Sequence, residues 1–302
     1  MKKYVYNERS SFQTRTLLNV SVNDLRAVIT CQKQSEAARK ECALFVEIGV
    51  FEEELDLRVI CALCCTIEVF FTKGSFISVE INETSPPYNY LSGIGFFNQW
   101  LDRESWFIKP GLDTSFGLIR FQKERIDSLN AHLSLFFSKH ELTRDKDITV
   151  ARLVITESLN NIADHSIWEI GFATIQIYPS RGILEFVVCD FGVGIPSSLF
   201  DNPSIKAYNH LDLLWKSLER GVSSRKQVHN RGMGLNIISE YAEQIGCSLD
   251  IVSYGARIEI KGGERFGELL GNNPFKGTLI KLSLAVSALQ IADDDETYDI
   301  DF

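Results

Sequence analysis

Residues 148–165 read ITVARLVITESLNNIADH. Leu153, Leu159 and Ile162 fall at helical spacing, which predicts a helix over Ile148–His165 with one side against a core. Glu157, Asn161 and His165 follow one another at intervals of four. A carboxylate, an amide and an imidazole therefore share one face, a turn apart. Such a row suits a solvated face as well as a site, and the helix alone does not decide between them. The segments downstream carry the decision.

Ile183–Val188 is a short apolar run and reads as a buried strand. It ends on Asp190, followed by Gly192 and Gly194 in VVCDFGVGIP. Glycines after a strand let a ligand approach the backbone, although turns use the same residues. Next comes NRGMGL, Asn230–Leu235, opening a helix over Leu235–Gln244. Free backbone N–H groups at a glycine-rich helix start form an anion site. Last, Gly277–Thr278 precedes the strand TLIKLSLAV.

In this order the segments resemble the GHKL ATPases, the nucleotide-binding domains of gyrase, heat-shock chaperones, histidine kinases and mismatch-repair proteins. E-S-L-N-N resembles the N box, with Glu157 and Asn161 at its E-x-x-x-N positions. D-F-G-V-G resembles the first glycine box, R-G-M-G-L the second and G-T the third. The resemblance spans Phe116–Val286. The local form E-x-x-x-N-x-x-x-H is most similar to anti-sigma-factor serine kinases. Sensor histidine kinases usually carry Asn where Glu157 stands and a basic residue at Asp164, so a histidine kinase is not expected. His140-Glu-Leu-Thr-Arg144 looks like a phosphoacceptor box, but it lies 17 positions before Glu157, too close for a separate acceptor hairpin.

The resemblance implies a two-layer α/β sandwich of the Bergerat type, a mixed sheet with helices on one face, over residues 106–290. It implies Mg-ATP as ligand. Asp190 would accept from the adenine amine, since a carboxylate is an acceptor only. Gly192, Gly194 and Ile195 would make room for the base. Asn161 would offer Mg²⁺ a neutral oxygen. Arg231, Gly232, Met233, Gly234 and Leu235 would meet the phosphates through backbone N–H groups, and Thr278 would complete the site. Gly221–Arg231 is polar and reads as the ATP lid, with Arg225, Lys226 and Arg231 as its cations. Glu157 is the expected general base. An attacking water makes the protein an ATPase; an attacking protein hydroxyl makes it a serine/threonine kinase. A nucleotide sensor without turnover is the third reading.

Residues 1–105 read as a smaller α/β domain. Ala43–Val50 is a β-leaning run, Asp56–Phe71 a buried helix ending at Lys73–Gly74, Phe76–Ile81 a strand and Tyr88–Leu101 an aromatic-rich helix. This order resembles a STAS domain, the fold of anti-sigma-factor antagonists. Phe51–Cys65 holds no Ser or Thr, which departs from the phosphorylated members and favours a docking or dimerising module. Pro110–Gly111 marks the expected boundary. Asp127–Glu141 is an amphipathic helix. Strands at Ala173–Tyr178 and Ile183–Val188 flank the turn PSRG, Leu211–Leu218 is a helix, and Ser248–Val252 with Arg257–Ile260 forms a hairpin around Tyr254–Gly255. Residues 291–302, with six acids in the last ten, read as a disordered tail.

The net charge of −9 argues against a nucleic-acid surface. Neither an export signal nor an apolar stretch of membrane-spanning length is visible, so a cytoplasmic protein with a protein partner, such as a separate STAS-type protein or a second copy, is expected. The seven cysteines are odd in number and do not suggest a disulfide framework. Cys61, Cys64 and Cys65 lack a second well-spaced ligand pair for zinc and read as a buried helix face.

Overall fold

The computed structural model describes residues 1–6, 16–22, 24–37, 42–49, 55–101, 112–200, 209–222, 234–244, 246–271 and 274–292. The expected lid from 223 onward, Pro110–Gly111 and the acidic tail from 293 lie outside them.

The amino-terminal stretch alternates strands and helices: β1 (Lys2–Tyr6), β2 (Thr16–Val22), α1 (Leu25–Ala37), β3 (Cys42–Ile48), α2 (Leu57–Thr72) and β4 (Ile77–Ile81). They form a sheet in the order β1-β4-β3-β2, parallel between β2, β3 and β4, with β1 antiparallel on β4. Parallel neighbours need crossovers, and α1 and α2 supply them. The Asp56 side chain caps α2 by accepting from the Arg58 N–H at 2.9 Å. After α2, the expected helix Tyr88–Leu101 is shorter than its sequence suggested. It is α3 (Pro86–Gly93), and the chain then turns at Gly95 into a single 3-10 turn, Phe96–Asn98. The aromatics fold inward rather than extending a helix: Phe96 stacks edge-on against Phe97 and Trp100, and Trp100 reaches Phe172.

The remaining elements are β5 (Ser115–Phe121), α4 (Ile126–Lys139), α5 (Thr149–His165), β6 (Ser166–Tyr178), β7 (Ile183–Gly192), α6 (Ile195–Phe200), α7 (His210–Lys216), α8 (Gly234–Gln244), β8 (Ser248–Tyr254), β9 (Ala256–Lys261), β10 (Glu264–Leu269) and β11 (Phe275–Ala285). Their strands make a seven-stranded sheet, β10-β9-β8-β11-β7-β6-β5. Every neighbouring pair is antiparallel, which corrects the expectation of a mixed sheet. Tight turns join β6 to β7, β8 to β9 and β9 to β10, and hairpins of that length permit only antiparallel pairing.

The second correction concerns the faces. Helices α4, α5 and α8 cover one side, packing on residues such as Phe121, Phe186, Val188 and Ile258. The other side is covered too. Leu118, Phe172, Val187, Cys189, Val252 and Leu279 share a core with Cys61, Cys65 and Ile67 of α2. Along β7, successive residues therefore enter different cores, which is why its sequence is a continuous apolar run. Helix α2 is buried along nearly its whole length because sheets lie on both sides of it.

Polar ties join the same surfaces. Arg58 Nη1 bonds Asp250 at 2.5 Å, the Lys276 N–H donates to Gln32 Oε1 at 3.1 Å, and Arg120 Nη2 and Trp100 Nε1 donate to Glu68 at 3.0 and 2.9 Å. The amino-terminal stretch and the large sheet thus pack as one body. Among the described residues no helix is long and apolar enough to cross a membrane.

In α5 the buried stripe is Ala151, Val154, Ile155, Leu159, Ile162 and Ala163. Leu153, expected in that stripe, is 44% exposed.

The Glu68–Arg120 pair yields a stability prediction. The side chains are 4% and 14% exposed, so losing one partner strands a charge. Arg120→Met should cost about 3–5 kcal/mol in urea denaturation. Adding Glu68→Gln should recover a large part of it.

Candidate functional site

The site begins at the end of β7. Asp190 continues the face of Phe186 and Val188, toward α5. It is 1% exposed. Its Oδ1 accepts from the Thr278 N–H of β11 at 2.5 Å. Burial raises its pKa to about 7, against the pull of that N–H.

Gly277 makes this contact possible. A Cβ there would lie 2.1 Å from the Asp190 carbonyl oxygen, and its φ of +118° suits only glycine. The β11 register on β8 slips between Phe275 and Thr278, a bulge that turns the Thr278 N–H onto the carboxylate.

Ser253, at the end of β8, completes the junction. Its Oγ accepts from the Ile195 N–H at 2.8 Å, donates to the Gly277 carbonyl at 3.1 Å and lies 3.0 Å from Thr278 Oγ1. Gly194, with φ +76°, passes so close that a Cβ would stand 3.0 Å from Ser253 Oγ and 3.1 Å from the Gly277 oxygen. Gly192, Gly194 and Ile195 thus lead from Asp190 into α6 over a wall made by β8 and β11. Ser253 carries no sequence signal beyond being a polar residue at a strand end.

Helix α5 reaches the same place from the other side. Ile162 lies against Gly171, which pairs with Asp190 across the β6–β7 ladder. Ser166, directly after α5, pairs with Gly192. The Asn161–Ile162 turn therefore stands over the Asp190 end of β7. Asn161 Nδ2 is buried and lacks a hydrogen-bond partner among the described residues. A buried unpaired amide costs about 1–3 kcal/mol, so a ligand at this spot would relieve it. One turn earlier, half-buried Glu157 has its pKa raised by burial, which moves it toward the range of a useful base. The side chain of His165 lies outside the described residues.

Helix α8 packs along α5. Gly234 is its first residue and Leu235 is half-buried against the α5-side core. Asn236 Nδ2 donates to the Leu218 carbonyl at 3.0 Å, joining the start of α8 to the end of α7. Arg231, Gly232 and Met233 lie outside the described residues. Cys61, Cys64 and Cys65 are buried in α2, and the Cys65 thiol donates to the Cys189 carbonyl at 3.3 Å, directly behind Asp190. Among the described residues no group of three or more His, Cys, Asp or Glu could hold a metal ion. The chain matches no protein-family model and no curated protein.

Asp190 makes a pH prediction. Its folded pKa of about 7 exceeds an unfolded value of about 4. Its contribution to stability is then complete below about pH 4, falls by about 1.4 kcal/mol per unit as pH rises toward about 7, and is level above that. Denaturation of the parent minus that of Asp190→Asn, measured across this window, should show that slope. A flat difference would place the charge elsewhere.

Proposed function

We propose that the chain binds Mg-ATP at the Asp190–Asn161 site and works as a GHKL-type regulatory ATPase whose nucleotide state controls a protein partner. The observation that carries this reading is the buried Asp190 carboxylate at a strand end. It is fixed by Thr278 and walled by glycines, as a reader of the adenine amine requires. A Bergerat-type fold is the finer reading of the large sheet and its α4, α5 and α8 layer. The all-antiparallel sheet and the helix-covered second face depart from the simplest form of that reading.

The donor set fits the ligand. Asn161 offers an amide whose Nδ2 is unpaired among the described residues and would donate to a phosphate oxygen, while its carbonyl oxygen is the atom that would suit Mg²⁺. Magnesium, when bound, supplies positive charge to the phosphates, and a site with few protein ligands suits it. Gly232, Met233, Gly234 and Leu235 would meet phosphate oxygens at the start of α8, with Arg231 adding charge. Asp190 orients the base. Glu157, with its raised pKa, accepts a proton from the attacking oxygen.

One observation favours a protein hydroxyl over water as the source of that oxygen. Val150 and Leu153, at the start of α5, are exposed, and Leu153 stands one turn before Glu157. An apolar surface beside the base suits a docked protein, which makes a serine/threonine kinase acting on a STAS-type protein the second reading. The parallel unit of β2, α1, β3, α2 and β4 is the stretch that we propose as STAS-like.

Glu157 and Asn161 should fail differently. In Asn161→Ala, Mg-ATP affinity and turnover should fall together. In Glu157→Ala, affinity should hold or tighten while phosphate release or phosphotransfer drops about 10²–10⁴-fold. Calorimetry and a labelled-ATP assay on the same preparations measure both. Undiminished turnover in Glu157→Ala would remove Glu157 as the base, and a parent that binds Mg-ATP without turnover would leave the non-hydrolysing nucleotide sensor.

A further inference from the structure

Among the described residues, Tyr254 is the one non-glycine residue with positive φ, at +49°. A bulky aromatic side chain is strained there. The hairpin has a glycine next door, Gly255, but that residue serves a different need. A Cβ on Gly255 would stand 2.5 Å from His210 Nδ1, so the glycine admits the imidazole of α7. The left-handed position falls to the tyrosine, although Asn or Gly would fill it with less strain.

The tyrosine ring makes contacts that neither of those residues could reproduce. Its ring meets the His210 edge at 4.9 Å between centroids, with the planes at 83°. Lys276 Nζ lies 5.1 Å from the ring centroid. Its Cβ is the atom that a Cβ on Gly194 would approach to 3.0 Å. Lys276 leads directly into Gly277–Thr278, His210 opens α7, and Gly194 is the turn beyond Asp190. Tyr254 therefore joins three segments, two of which form the wall around the Asp190 carboxylate. Ser253, its chain neighbour, already holds the Ile195 N–H and the Gly277 carbonyl.

We propose that Tyr254 is a positioning residue of the nucleotide site, holding the Gly194–Ile195 turn and the Lys276–Thr278 segment in the arrangement that Asp190 needs. The inference rests on the Mg-ATP reading and adds a residue to it. Tyr254 acts through these neighbours and not on a reacting atom. Its backbone strain is tolerated because the ring fixes a wall that glycines alone would leave loose.

The test uses Tyr254→Asn, since Asn occupies the left-handed region readily, together with Tyr254→Phe and His210→Ala. Mg-ATP affinity is measured by calorimetry and the thermal midpoint by unfolding without nucleotide. Tyr254→Asn should weaken ATP about tenfold through lost preorganisation while its thermal midpoint stays near that of the parent. Tyr254→Phe should bind as the parent does, and His210→Ala should lie between. Parent-like ATP affinity in Tyr254→Asn, with a parent that does bind ATP, overturns this proposal alone. So does a loss of affinity matched by a large drop in thermal midpoint in both Tyr254→Asn and His210→Ala. A parent that binds no Mg-ATP overturns the nucleotide reading itself.

Discussion

The approach of Gly277 to the backbone of Asp190 is the contact on which the site depends. It brings the Thr278 N–H onto the carboxylate and leaves no room for a side chain between β11 and β7. Once that junction closes, Asp190 is cut off from water on a strand whose two faces are both packed. A desolvated carboxylate with a neutral donor is poorly satisfied in its charged form. It therefore favours either a proton or a ligand that donates to it. The raised pKa of Asp190 has this cause, and the fitness to read an exocyclic amine that we propose for it would share that cause.

The amino-terminal stretch takes part in that environment. Helix α2 lies behind β7, with Cys65 against Cys189 and Arg58 on Asp250. Removing it would open the back of the sheet to water and lower the cost of charge at Asp190. The dielectric around the carboxylate is thus set partly by residues far from it in sequence.

Much of this was legible in the sequence, for identifiable reasons. Helix α5, the β6–β7 hairpin and the β8–β9 hairpin follow from local periodicity and turn residues, which act over a few positions. Asp190 at a buried strand end was legible as well. The apolarity of α2 signalled burial but not its partner, since packing on a second sheet is a long-range event. Leu153 misled because an apolar residue at helical spacing does not reveal whether a neighbour covers it. The aromatics after Tyr88 suggested one helix, and the turn at Gly95 breaks it. Strand β10, ERFGEL, is an exposed edge whose charges hide any alternation. Ser253 left no trace because a serine joins such a junction only when three distant segments meet.

The central claim is that Asp190 and Asn161 hold one ligand between them. A crystal structure of the full chain with Mg²⁺ and a non-hydrolysable ATP analogue tests it directly. The account predicts the adenine amine donating to the Asp190 carboxylate, with the metal or a phosphate oxygen on the Asn161 amide. An analogue bound elsewhere, with neither the Asp190 carboxylate nor the Asn161 amide touching it, would contradict it.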